Sequence, residues 1–306
     1  MLAIRCRNLR KRYADVVAVD GLDLEVTRGE CLGLLGPNGA GKTTTIEILE
    51  GLNRPDAGEV EVLGMKWGRD DAELRQRLGI QLQETQLNEK LTVEETLRLF
   101  RSFYKAGDEV EQVLARVQLE PKRTSQVGKL SGGQKQRLSV GCALVGKPDL
   151  LFLDEPTTGL DPQSRRQLWD LLEMFRRDGG TILLTTHYMD EAATLCDRVA
   201  IVDRGRVIAE GTPLELIRSL GAEHVLHFTT DGVEIPLAEL QALAGVQGAA
   251  RTDAGYSVTT SSTHQAVPAL LQAIGASGAK LTMLNTHSAT LEDVFMSLTG
   301  RHLRDE

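Results

Sequence analysis

Apolar and polar positions alternate along the first thirty residues, as in Leu22-Asp23-Leu24-Glu25-Val26. A period of two puts every second side chain on one face, so this stretch predicts antiparallel strands with one buried face. From 31 to about 82 the pattern becomes strand, loop and helix in turn. Residues 84–147 are helix-rich, with Val93, Leu97 and Phe100 at helical spacing in the run Thr92 to Phe103. From 149 to 211 short, wholly apolar runs return, such as Leu150-Leu151-Phe152-Leu153 and Thr181-Ile182-Leu183-Leu184. Runs of that kind suit a parallel sheet buried on both faces. The helix-rich stretch therefore reads as an insertion into an α/β core. Near Leu220-Gly221-Ala222 the character changes. Residues 223–285 predict strand, helix, strand, strand, helix, strand, with Asp253-Ala254-Gly255 closing the central hairpin. That order fits a small ferredoxin-like domain. A last helix, Leu291 to Leu298, follows Ser288-Ala289-Thr290. The boundaries drawn are 1–220 and 221–306, with the helical insert at about 84–147.

Length and charge narrow the function classes. The chain has 306 residues, enough for one larger and one smaller domain. Its net charge of −8 argues against a dedicated nucleic-acid binder, whose footprint is usually basic, so no nucleic-acid partner is expected. No apolar run approaches the ~18–20 residues that span a bilayer, and the N-terminus lacks a secretory apolar stretch. The four cysteines, Cys6, Cys31, Cys142 and Cys196, form no CxxC pair, so reduced, buried thiols and a cytoplasmic location are expected.

The chemistry begins at Gly36-Pro37-Asn38-Gly39-Ala40-Gly41-Lys42-Thr43, which fits G-x-x-x-x-G-K-[ST]. Small residues let the backbone curl around an anion with consecutive N–H groups pointing inward. Lys42 supplies a point charge for β- and γ-phosphates, and the Thr43 hydroxyl suits Mg²⁺. Thr44 is counted with the nucleotide contacts. A strand-like run precedes the loop and a helix from about Thr43 to Leu49 follows, so a helix N-terminus faces the phosphates. The loop predicts binding of a nucleoside triphosphate.

Two further motifs define the kind of nucleotide protein. Asp149-Leu150-Leu151-Phe152-Leu153-Asp154-Glu155 is a buried strand ending in two carboxylates. Ligands of α/β sheets bind at the carboxyl ends of strands, so Asp154 suits Mg²⁺ and Glu155 suits a general base for an attacking water. A strand end with two solvated acids is the commoner meaning of such a pair, and the preceding phosphate loop favours the functional one. Leu130-Ser131-Gly132-Gly133-Gln134 heads a helix. Ser131 and Gln134 have the spacing of a capping box. Two glycines in a first turn cost roughly 1 kcal/mol each against alanine, which a cap alone does not require. They let backbone N–H groups approach a bulky anion.

The LSGGQ run, together with the Walker A and Walker B motifs, resembles the ATP-binding subunits of ABC transporters over residues 1 to about 220. The resemblance implies a P-loop NTPase of the ABC type: a RecA-like α/β core, an antiparallel β subdomain and an inserted helical subdomain, followed here by a small C-terminal α+β domain. It implies that Tyr13 stacks on adenine with Val19 packing beside the base. It identifies Gln83 as the glutamine that touches Mg²⁺ or the attacking water, with Gln81 as the competing choice. Gly159-Leu160-Asp161 resembles the D-loop, and His187 the switch histidine on the γ-phosphate.

The resemblance also implies a mechanism: two chains pair head to tail as a homodimer or with a paired ATPase. The P-loop of one and Ser131 to Gln134 of the other then sandwich ATP. Hydrolysis removes the γ-phosphate contact and opens the dimer. A separate transmembrane permease is implied as partner, docked near Gln83 with Glu84 to Thr92 contributing, which would hold the chain on the inner face of the membrane. Thr290-Leu291-Glu292-Asp293-Val294-Phe295 with Leu298-Thr299-Gly300-Arg301 resembles the tail of daunorubicin-resistance-type export ATPases, as does Gln81-Leu82-Gln83-Glu84-Thr85. The reading is an ATPase that energises export of a drug, lipid or other small molecule. The alternative is a non-transport ABC ATPase that remodels a ribosomal, DNA or protein complex. A single nucleotide-binding domain and the lack of sustained heptads speak against that alternative. The sequence does not name the cargo.

Overall fold

The computed structural model describes residues 1–82, 86–252 and 255–299. Gln83, Glu84 and Thr85, the Asp253-Ala254 step of the expected hairpin turn, and Gly300 with Arg301 lie outside the described residues. The chain divides into two compact units, Met1–Ile208 and a second beginning at Ala209.

In the first unit, β1 (Leu2–Tyr13) and β2 (Val16–Thr27) form the antiparallel hairpin that the alternation predicts. β3 (Cys31–Leu35) then leads through the phosphate loop into α1 (Lys42–Leu49). β4 (Ala57–Val62) returns to the hairpin, giving a three-stranded sheet in the order β2-β1-β4. After α2 (Asp71–Arg77) and β5 (Leu78–Gln81) comes the helical insertion: α3 (Val93–Arg101), α4 (Val110–Arg116) and α5 (Gly132–Leu144). The α/β pattern resumes with β6 (Leu150–Asp154), α6 (Pro162–Arg177), β7 (Thr181–Thr186), α7 (Met189–Leu195), β8 (Arg198–Asp203) and β9 (Arg206–Gly211).

These strands build a sheet in the order β5-β6-β7-β3-β8-β9, parallel from β5 to β8. Every residue of β3, β6 and β7 is buried, as expected of strands covered on both faces. One apolar cluster joins Ile4, Leu22 and Leu24 of the antiparallel sheet, Ile46 and Leu49 of α1, and Leu34, Phe152 and Leu183 of the parallel sheet. Burying each such side chain contributes about 1.5–3 kcal/mol. The helix behind the phosphate loop is thus fixed by core packing on both sheets.

The second unit contains α8 (Pro213–Ser219), β10 (His224–Thr230), α9 (Leu237–Gln241), β11 (Val246–Thr252), β12 (Gly255–Thr260), α10 (Thr263–Ala276), β13 (Leu281–Ser288) and α11 (Leu291–Thr299). Its sheet runs β11-β12-β10-β13, with every neighbouring pair antiparallel. With one helix in each crossover, this is the split βαβ order. Leu226, Phe228, Tyr256 and Val258 pack with Leu240, Leu270 and Ile274 of α9 and α10 as a separate core. The division between units falls inside β9, upstream of the change in character near 220, and α8 packs against α11. Among the described residues no helix is long and apolar enough to cross a membrane.

Candidate nucleotide site

The phosphate loop leaves β3 and turns at Gly41, the residue before α1. Gly41 has φ 99°, and a Cβ there would lie 2.2 Å from the carbonyl oxygen of Ala18, so only glycine fits. Lys42 is buried at 5% exposure, and its ammonium donates to the carbonyls of Gly36 (2.7 Å) and Pro37 (3.0 Å). The cation is therefore held inside the turn. Gly36, Pro37 and Ala40 are buried, whereas Asn38, Gly39 and Thr43 are exposed and Thr44 is half-buried. Thr43 stands in the first turn of α1 with its side chain open to solvent.

The strand order carries the other groups to this loop. β7 lies between β6 and β3, with Asp154 level with Thr185 and Leu35 level with Thr186. Parallel strands in register end at one edge, so the loop after β3, the acids ending β6 and the histidine after β7 emerge together. Asp154 is buried, and the Thr185 hydroxyl donates to its Oδ1. Burial pushes its carboxyl up; Thr185 pulls the other way, the negative charge of Glu155 adds to the rise and Lys42 opposes it.

Glu155 takes a left-handed backbone, φ 47°, that is uncommon for a non-glycine residue. Its N–H donates to Thr185 O (3.2 Å) and Thr185 Oγ1 (3.0 Å), which hold the turn in place. That turn brings Oε2 within 3.2 Å of His187 Nδ1, and the Thr158 hydroxyl donates to the same oxygen at 3.2 Å. The hydrogen bond with His187 is the main influence holding the Glu155 carboxyl below its usual value. Burial opposes it, and the charges of His187 and Lys42 reinforce it. Glu155 is consequently ionised at neutral pH and able to accept a proton.

Ser131 caps α5. Its hydroxyl accepts from Gln134 N (3.3 Å) while Gln134 Oε1 accepts from Ser131 N (3.0 Å). The two glycines differ. Gly132 is exposed with open space around its Cβ position. Gly133 is buried, and a Cβ there would meet Ser164 Oγ at 2.2 Å. Its small size is thus demanded by packing of α5 on α6. Asp161 caps α6, with Oδ1 accepting from Gln163 N and Ser164 N (3.0 Å each) and Oδ2 from Ser164 Oγ (2.6 Å).

Tyr13 ends β1 and is 44% exposed. Lys11 Nζ lies 5.4 Å from the ring centroid, and Asn53 Nδ2 donates to the phenol oxygen. An exposed ring held at both its face and its hydroxyl is suited to stacking. Val19 is corrected by the structure. It is fully buried in the core of the first unit and presents no side chain to a base. Val16 and Val17, opposite Tyr13 and Arg12 in the hairpin, are the exposed valines on that edge. Gln81, the competing glutamine, is buried, its Nε2 donating to Leu82 O at 2.6 Å; Gln83 lies outside the described residues.

One residue of the site and one buried acid at the C-terminal end of α1 escaped sequence reasoning. Thr185, read only as part of the approach to His187, holds both acids. Glu50, capping the C-terminus of α1, is 3% exposed, and neither of its carboxylate oxygens has a hydrogen-bond partner. Burial pushes its carboxyl up to about 8, with the charges of Asp154 and Glu47 adding to the rise. Glu50 is therefore a neutral buried acid at the end of α1 opposite the phosphate loop. Nothing local in Leu49-Glu50-Gly51 signals this.

Comparison with known proteins agrees with this geometry. The ABC transporter family model matches residues 19–158. The Nod factor export ATP-binding protein I of Cupriavidus metallidurans is 41% identical over 309 residues, spanning 99% of both chains. The linearmycin resistance ATP-binding protein LnrL of Bacillus subtilis is 36% identical over 310 residues, 99% of this chain and 100% of that one. Among solved structures, an ATP-binding subunit of an ABC transporter superposes with TM-score 0.65 at 32% identity, covering 72% of this chain and 93% of that one. The dimeric bacterial ABC transporter cassette MJ0796 does so with TM-score 0.62 at 25% identity, covering 68% and 98%. These likenesses bear out the P-loop α/β cassette fold. The chain belongs to the ABC transporter family, as an ATP-binding and ATP-hydrolysing subunit of the export, drug-resistance type.

Proposed function

We propose that this chain energises an exporter by closing head to tail on a second copy of itself, or on a paired ATPase, around ATP and Mg²⁺. The partner that moves is a separate membrane permease, which holds the chain on the cytoplasmic face. The cargo is a drug, lipid or other small molecule, a reading supported by relatives named for Nod factor export and linearmycin resistance.

The observation that carries the reading is the convergence of Lys42, Asp154, Glu155 and His187 at one sheet edge, with Glu155 and His187 in contact. The residues fit the ligand. Gly36 to Thr44 form a cradle that a Cβ at Gly41 would spoil, and Tyr13 offers a ring for adenine. Thr43, Asp154 and Gln83 would hold Mg²⁺, which would supply Lewis-acid neutralisation of the charge that develops on the phosphates. Lys42 binds the β- and γ-phosphates. Glu155, ionised, takes the proton of the attacking water. His187, beside it, contacts the γ-phosphate. Ser131, Gly132, Gly133 and Gln134 reach the γ-phosphate held by the partner chain, with Asp161 near the same junction. Loss of that phosphate removes the contact that favours the closed state.

The test is recovery of tagged Glu155→Gln protein from its native membranes with Mg-ATP. A multi-span permease among the recovered chains supports the exporter reading. Recovery of ribosomes or soluble complexes without a permease overturns it.

A further inference from the structure

The second unit gathers three ligand-type side chains that the nucleotide chemistry does not use. His227 lies on β10, His287 on β13 and Asp293 in the first turn of α11, and their ligand atoms all fall within 4.8 Å of one another. The register explains the pairing: Val225 is opposite His287 and His227 opposite Asn285. The two histidines are therefore diagonal neighbours on one face of the sheet. Their rings stack at 5.2 Å with planes 5° apart. Leu226 and Phe228, which flank His227, point to the opposite face and join the α9/α10 core.

Asp293 approaches that face from α11. Its Oδ2 accepts from Thr290 N (2.8 Å) and Thr290 Oγ1 (2.7 Å), the bonds of a helix cap. His287 Nε2 stands 3.1 Å from Oδ2 and 3.3 Å from Oδ1, and His227 Nε2 stands 3.7 Å from Oδ1. The cap accounts for the position of Asp293. It does not account for two imidazoles turned toward one carboxylate.

We propose that His227, His287 and Asp293 form a three-ligand site for a divalent transition ion, with Zn²⁺ the best match. Two imidazole nitrogens and one carboxylate oxygen suit such an ion. Hard cations take all-oxygen shells, and soft ions take thiolates. Tetrahedral Zn²⁺ with bonds of about 2.0–2.2 Å sets its ligand atoms roughly 3.3 Å apart, and Asp293 Oδ1 stands 3.3 Å from His287 Nε2 and 3.7 Å from His227 Nε2, at and slightly above that value. The Thr290 bonds orient the carboxylate from behind, as outer-shell partners of metal ligands do. The histidine side chains keep 23% and 32% of their exposure, which gives the ion access and leaves the fourth position for water. The three ligands come from three elements, so the ion would pin α11 to β10 and β13.

The experiment titrates the full chain, untagged, freed of metal by chelation and without nucleotide. One equivalent of Co²⁺ should give the intense visible bands of a four-coordinate site, and one equivalent of Zn²⁺ should displace it. His227→Gln and His287→Gln should each weaken Zn²⁺ binding at least about 100-fold, more than the loss of an outer-shell partner costs. His264→Gln, at an exposed position on α10, should change nothing. Glutamine keeps a donor for Asp293, and circular dichroism checks the fold. In the unmutated chain, Zn²⁺ should also protect His227 and His287, but not His264, from carbethoxylation. The proposal is overturned if the unmutated chain takes up no stoichiometric ion, if both glutamine variants bind Zn²⁺ as tightly as it does, or if protection does not centre on His227 and His287.

Discussion

Glu155, after β6, and Glu50, at the C-terminal end of α1, are driven in opposite directions. The hydrogen bond with His187 keeps Glu155 charged, whereas burial without a hydrogen-bond partner keeps Glu50 protonated up to about pH 8. The sign for Glu50 follows from linkage. Below its unfolded value, near 4.5, the acid is neutral in both states and has no effect on pH dependence. Between there and about 8 the unfolded chain releases the proton and the native chain keeps it, so stability falls as pH rises. Glu50→Gln should therefore leave stability at about pH 4 unchanged and raise it at about pH 9, by up to roughly 5 kcal/mol. Urea unfolding of the nucleotide-free chain at the two pH values measures this; equal stabilisation at both would contradict it. Lys42→Ala removes the cation held on the Gly36 and Pro37 carbonyls. ATP turnover should drop by at least about 100-fold, in line with loss of a preorganised electrostatic contact, and a steady-state ATPase assay reads it.

At the scale of elements, α5 and α6 meet where Gly133 faces Ser164. Gly133→Ala places a methyl against a hydroxyl that Asp161 already holds. It should destabilise the first unit by about 1–3 kcal/mol, the usual cost of overpacking. Adding Ser164→Gly, which frees the space, should recover most of that loss in thermal unfolding. Local patterns made much of this level legible. The change from alternating to wholly apolar runs marked the antiparallel hairpin and the parallel core, and Ser131 with Gln134 announced the cap of α5. Contacts between distant segments were not legible. The packing reason for Gly133 to be small was hidden because Ser164 is remote in sequence. Val19 was assigned to the base, but register shifts between Leu9 and Arg10 and between Lys11 and Arg12 reset which β2 positions face inward. The motifs point Lys42, Asp154, Glu155 and His187 to one sheet edge because they follow parallel strands that end together. Thr185 and Glu50 carry no motif, and their roles come from neighbours supplied by the fold.

For the whole molecule, the central claim is that one chain holds half of each ATP site. Ser131 and Gln134 spend their bonds on each other at the head of α5, and Gly132 beside them is open. Ser131→Arg puts a bulky cation at that exposed position. It should leave equilibrium binding of ATP within about threefold, because the Lys42 cradle is untouched, apart from roughly 1 kcal/mol of stability lost with the cap. Turnover should fall at least about 100-fold, as for loss of a transition-state contact, and fluorescence titration with a labelled ATP analogue separates the two effects. The most direct measurement is sedimentation velocity of Glu155→Gln with Mg-ATP, with Mg-ADP and without nucleotide. The account predicts a dimer with ATP alone, abolished by adding Ser131→Arg. A monomer in all three conditions, or a dimer indifferent to the γ-phosphate and to Ser131→Arg, would contradict the composite site.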